Sequence, residues 1–264
     1  MTYLQAILLG AFQGFTEFLP VSSSGHLVLL QHLFGLEDVP LLFDVFLHLA
    51  TLGVVGIVFR EKILQIGRGC YWIVRRKSFE GKEEVQRIIL VLILSTLCTG
   101  LLGIPLKSWV EQANPKLVFF FFILTAILLL LAGTRKGHRS YRELNIADGI
   151  VIGVAQGLGV LPGVSRSGIT ISAGLARGLD RSIAGEYSFL LSIPAILGAL
   201  VLTLKDLSSL GAHVSLGVLV AGMGSAFCAG FLAIKLLLKT VQGGHLGWFA
   251  VYLLPLGLIG ILFL

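Results

Sequence analysis

Charge is scarce in this chain. Asp, Glu, Lys and Arg make up 13% of its 264 residues, against 56% that are hydrophobic. A soluble domain of this size needs far more polar surface, so that class is excluded. Cysteine is scarce as well: Cys70 lies in a basic stretch, Cys98 and Cys228 in apolar ones, which makes neither a disulfide framework nor a zinc spacing. No Walker loop, GxSxG elbow, HExxH helix or dinucleotide fingerprint occurs, so no familiar soluble site has been moved into this chain. The opening MTYLQAILLG has no basic stretch of the signal-peptide kind and is expected to belong to the folded protein. The formal charge of +6 is no footprint of nucleic acid, and no such partner is expected, because Lys and Arg gather between apolar runs.

Those runs are what the chain has in abundance. Segments 43–59, 88–106, 117–132, 187–204, 214–238 and 248–264 approach the length of a bilayer crossing. The fold class is therefore an all-α polytopic membrane protein, one membrane domain over 1–264 surrounded by lipid. Between the first two runs a strongly basic loop carries Arg60, Lys62, Arg68, Arg75, Arg76, Lys77, Lys82 and Arg87, and the positive-inside bias makes it cytoplasmic. The loop 107–116, with Lys107, Glu111 and Lys116, then falls outside, and the loop with Arg135, Lys136, Arg139 and Arg142 inside again. Two apolar pieces, 3–15 and 27–34, are too short to cross about 30 Å of hydrocarbon, which takes about 20 helical residues. They read as half-helices that enter and leave by one face, with broken backbone tolerated where protein or water surrounds it.

The opening pattern returns. IVIGVAQGLGVLPGVSRSG at 150–168 lies over ILLGAFQGFTEFLPVSSSG at 7–25 without a gap, matching Gly10 to Gly153, Gln13 to Gln156, Gly14 to Gly157, Ser22 to Ser165 and Ser24 to Ser167. Shared glycines, glutamines and serines in one register point to an internal duplication, with repeats near 1–132 and 146–264. Each half is then a re-entrant broken hairpin plus three transmembrane helices. Three crossings separate the hairpins, so they enter from opposite faces: an inverted-topology repeat with both termini outside.

The copies differ where chemistry would sit. The first has Glu17 and His26 where the second has Val160 and Ile169, and the second has Arg166 where the first has Ser23. An arginine at membrane depth costs about 3 kcal/mol or more unless it faces a partner or a wet cavity. In PGVSRSGIT, residues 162–170, Arg166 stands among Ser165, Ser167 and Thr170, a setting suited to phosphate oxygens. Glu17 is either a metal ligand or a general base, since a carboxylate at depth needs a cation or a proton. Gln13, one turn earlier, offers an amide to a metal, to Glu17 or to a neighbouring helix. Ser22, Ser23 and Ser24 are capping residues or hydroxyls activated by His26. His48, four residues after Asp44, reads as an interhelical pair, and Glu186 as a cap on span 187–204.

At QGFTEFLPVSSSGH (13–26) and PGVSRSGIT (162–170), with EYSFLLSIP (186–194) in support, the chain resembles the undecaprenyl pyrophosphate phosphatases of the bacitracin-resistance type. The resemblance implies hydrolysis of undecaprenyl diphosphate to undecaprenyl phosphate, the lipid carrier of cell-wall synthesis. It also implies a divalent cation, Mg²⁺ or Ca²⁺, and a place in the bacterial cytoplasmic membrane. The family's acidic motif, E/Q-x-x-x-E, falls on Gln13 and Glu17, its serines and histidine on Ser22, Ser23 and His26, and its phosphate-binding run on Ser165, Arg166, Ser167 and Thr170. The nucleophile is Ser23, His26 or water. A lipid flippase, alone or combined with hydrolysis, is the rival reading, and a homodimer is left open.

Overall fold

The computed structural model describes residues 1–36, 39–111, 114–204 and 214–263. It is helical throughout: α1 (Tyr3–Phe18), α2 (Ser23–Leu33), α3 (Leu41–Val58), α4 (Arg60–Val74), α5 (Lys82–Glu111), α6 (Pro115–Gly133), α7 (Ile146–Leu158), α8 (Arg166–Ala176), α9 (Arg181–Thr203), α10 (Leu216–Gln242) and α11 (Trp248–Phe263). Five of these, α3, α5, α6, α9 and α10, are long and apolar enough to cross a membrane; α11, with 16 residues, is as apolar but shorter. Their outward faces carry large apolar side chains, as in the row Leu90, Ile93, Leu97, Leu101 and Ile104 along α5. That pattern suits lipid as solvent and no aqueous surface.

The basic stretch expected as a loop contains a helix, α4. Its Arg60, Lys62 and Arg68 alternate with Ile63, Ile66, Trp72 and Ile73, and Gly69 lets it close on Val85 at the start of α5. The run 88–106 is part of a longer helix, whose first turn already meets α4: Glu84 accepts from Lys62, and Val85 packs on Gly69. Lys107 and Glu111 fall in its last turn, where their side chains lie outside the described residues. The span expected at 117 starts at Pro115, a favoured first helical residue, behind the Asn114 cap. The span expected at 187 starts at Arg181 under the Asp180 cap, so Glu186 sits within α9 and caps nothing.

The hairpins α1–α2 and α7–α8 are each held by a helix from the other half. α1 packs along α10 and α7 along α5. In both cases matched glycines make the approach possible. A Cβ on Gly10 would strike the Gly222 carbonyl and one on Gly14 the Ala226 carbonyl; on Gly153 it would strike Ser95 and on Gly157 Leu102. The elbows also correspond. Ser22 caps α2 by accepting from the Gly25 N–H, and Ser165 caps α8 by accepting from the Gly168 N–H.

Both elbows meet the middle of other helices. Thr125, near the centre of α6, donates to the Gly163 carbonyl at 3.1 Å and accepts from the Ser165 N–H at 3.1 Å. Phe18 packs on Phe189 and against Gly230, halfway along α10. The two elbows touch each other: the Gly163 N–H donates to the Ser22 hydroxyl at 3.1 Å, and Gly25 has no room for a Cβ beside Gly163. Polar backbone at that depth is thus satisfied inside the protein.

Candidate active site

Glu17 closes the last turn of α1 and faces the start of α2. Its Oε2 accepts the Ser23 hydroxyl at 2.6 Å and Gln13 Nε2, one turn back on the same helix, at 3.2 Å. His48 of α3 places Nδ1 3.2 Å from the same oxygen and in hydrogen-bond contact with Gln13 Nε2. The other oxygen, Oε1, lies 3.6 Å from Nη1 of Arg166, at the start of α8. Residues from both hairpins and from α3 therefore converge on one carboxylate. The Glu17 side chain is 11% exposed and that of Arg166 23%, so the pair is shielded from bulk water.

A cavity of about 240 Å³ opens beside this centre. Its lining combines the polar His48, Thr99, Gln156 and Arg166 with the apolar Val45, Ile104, Val160 and Pro194. Such a lining offers groups for both an anionic head and an apolar chain. Gln156, aligned with Gln13 in the sequence, donates to the Leu191 carbonyl of α9 at 3.2 Å, three residues before Pro194.

The remaining expected residues hold the elbows. Ser22 adopts φ +70°, sparsely populated for a residue with a Cβ, and its oxygen accepts from the N–H groups of Gly25 and Gly163. Thr170 donates to the Arg166 carbonyl at 2.8 Å and pairs with Ser188, while Ser165 and Ser167 face each other at 3.4 Å. Both ring nitrogens of His26 are taken up by groups other than Glu17. Its Nδ1 donates to the Ser22 carbonyl at 2.7 Å, which leaves Nε2 of the neutral ring to accept from the Tyr252 hydroxyl at 2.8 Å. Phe122 and Tyr252 flank the ring.

His48 pairs between helices as expected, but its partners are Glu17 and Gln13 of α1, while Asp44 on its own helix accepts from Gln31 at 2.8 Å. The one signal in the sequence was an imidazole in the middle of an apolar span.

Two side chains here carry oxygens suited to a hard cation: Glu17, and Gln13, whose amide nitrogen meets the carboxylate and whose Oε1 is the other end of the same amide. That amide oxygen is fully buried and has no hydrogen-bond partner. Among the described residues no three acidic, histidine or cysteine side chains form a closed cage. A Mg²⁺-type ion does not need one, since it keeps water and takes phosphate oxygens alongside one or two carboxylates. The residues present fit such an ion.

Fold and centre together define a class, a multi-pass helical membrane protein with a shielded carboxylate–hydroxyl–guanidinium centre between its helices. The family described as bacitracin resistance protein BacA matches residues 6–259. The chain belongs to that family. It is similar to a protein of Treponema denticola named undecaprenyl-diphosphatase, at 46% identity over 98% of this chain and 96% of that one. Proteins of the same name from Carboxydothermus hydrogenoformans (42% identity, 97% of this chain, 95% of the relative) and Methanosphaera stadtmanae (40%, 98% and 97%) match as fully.

Proposed function

We propose that this protein hydrolyses undecaprenyl diphosphate to undecaprenyl phosphate and inorganic phosphate within the cytoplasmic membrane. One observation carries the reading: the Ser23 hydroxyl donates to Glu17 at 2.6 Å while Arg166 faces the other carboxylate oxygen. Hydroxyl, base and fixed cation are the parts that phosphoryl transfer needs.

In this reading the diphosphate lies against Arg166, whose planar fork binds phosphate oxygens, and the prenyl chain runs along the apolar wall of the cavity toward lipid. Glu17 takes the proton of Ser23 as the oxygen attacks the terminal phosphorus. A bond forms between Ser23 Oγ and phosphorus, the bond to the bridging oxygen breaks, and undecaprenyl phosphate leaves. Water then attacks the phosphoserine, releasing phosphate and returning the proton to Ser23. The N-terminus of α8 and Arg166 hold the charge that develops on the oxygens. A divalent cation held by Glu17 and Gln13 supplies further neutralisation of the diphosphate when bound. His26 acts as a positioning residue: its bond to the Ser22 carbonyl fixes the backbone next to Ser23.

The matched glycines and caps of the two hairpins support an inverted repeat of re-entrant helices. Basic α4 supports a cytoplasmic placement for the loops at its level, which puts both termini outside. Transport alone has no comparable support, since the relatives are named for hydrolysis.

The test is phosphate release from undecaprenyl diphosphate by purified protein in detergent, where no compartments exist. Release by the wild type and its loss in Ser23→Ala are expected. No release by the wild type, or full release by Ser23→Ala, would overturn the assignment.

A further inference from the structure

We propose that His48 is a third ligand of the divalent-cation site, beside Glu17 and Gln13, and that its imidazole turns the site from Ca²⁺ toward Mn²⁺. The inference deepens the cation-assisted reading above and rests on it. Three side-chain atoms form a small triangle: Glu17 Oε2 stands 3.2 Å from His48 Nδ1 and 3.2 Å from Gln13 Nε2, and the last two are in contact. Donors in adjacent octahedral positions, about 2.1 Å from a cation, stand about 3 Å apart. Two of the triangle's three edges have that length.

One corner carries the wrong atom, since the amide nitrogen of Gln13 cannot ligate. The oxygen of the same amide is buried and unpartnered. Half a turn about the last side-chain bond exchanges the two. Two oxygens and an imidazole nitrogen then stand together, a donor set that a cation can bridge when Nδ1 carries no proton. The opposite face is left to phosphate oxygens and water from the cavity, which His48 and Arg166 both line. Gln13 brings no charge to the site, and a nitrogen donor makes up binding strength that an oxygen of low charge withholds. Carboxylate and carbonyl oxygens suit Mg²⁺, Ca²⁺ and Mn²⁺ alike, whereas Ca²⁺ prefers six to eight oxygens and imidazole favours the transition metals.

The experiment uses the full chain in detergent, stripped of metal and then given Mn²⁺ alone, with and without ¹⁵N-histidine labelling, read by pulsed electron paramagnetic resonance. A directly bound histidine nitrogen is expected, changed by the label and lost in both His48→Gln and Glu17→Gln. Mn²⁺ should bind at least about tenfold more weakly to His48→Gln, and Ca²⁺ should displace it from the wild type only in excess. Mn²⁺ bound to folded wild type without histidine coupling, coupling unchanged in His48→Gln, no Mn²⁺ binding, or displacement by equal Ca²⁺ each overturns the proposal. Because no substrate is present, such a failure leaves phosphate release by Ser23 and Glu17 standing, and failed phosphate release leaves this measurement readable.

Discussion

Ser22 and Ser23 are neighbours with opposite tasks. Ser22 spends its oxygen on two buried N–H groups and holds the elbows together, whereas Ser23 donates to Glu17. Ser22→Ala should therefore lower thermal stability by about 1–3 kcal/mol, the cost of leaving buried donors unmet. Ser23→Ala should unfold at the wild-type temperature and lose on the order of 10³-fold or more in kcat. Calorimetric or fluorescence melting beside phosphate-release kinetics separates the two. His26 gives a second contrast. If its task is the hydrogen bond to the Ser22 carbonyl, His26→Asn, which keeps a donor, should retain several times the kcat of His26→Ala. Equal losses in both variants would instead give the ring a part in the chemistry.

At the scale of elements, the hairpins depend on glycines that let helices touch. Gly10→Ala and Gly153→Ala each push a Cβ into backbone of the opposing helix and should cost about 1–3 kcal/mol or more, measured by thermal unfolding in detergent. Gly100→Ala and Gly224→Ala, which lie inside helices and meet nothing within 4 Å, are the controls and should melt at or slightly above the wild-type temperature, Ala being favoured there by up to about 1 kcal/mol. The start of α7 is tied just as firmly. Asp148 is fully buried and receives Arg139 at 2.7 Å and Arg177 at 2.8 Å, so Asp148→Asn removes the charge both guanidinium groups meet and should cost about 1–3 kcal/mol. Spans and the short helices α1, α2, α7 and α8 were legible because hydrophobic length and Gly/Pro breaks are local properties. α4 was not, because a density of Lys and Arg outweighed the apolar residues interleaved among them. The start of α9 was hidden in the same way, since Arg181 and Glu186 are polar while the Asp180 cap was passed over.

At the scale of the molecule, the meeting of Glu17 and Arg166 was legible from laying 150–168 over 7–25, where these two residues stand out as departures in an otherwise similar pattern. The contribution of α3 was not legible. His48 has a local explanation in Asp44, four residues away, and only the approach of α1 to α3 brings it to Glu17. The division of labour among the hydroxyls was hidden too, because Ser22, Ser165 and Thr170 look alike in sequence and differ only in what their oxygens meet. The central claim is that acid and guanidinium, contributed by opposite halves, work as one unit. A double-mutant cycle on phosphate release, with Glu17→Gln, Arg166→Lys and the double variant, tests it most directly. Each single change should lower kcat by about 10²-fold or more, with the double variant within a few-fold of the worse single one. A double variant slowed by the full product of the two single effects would contradict the account.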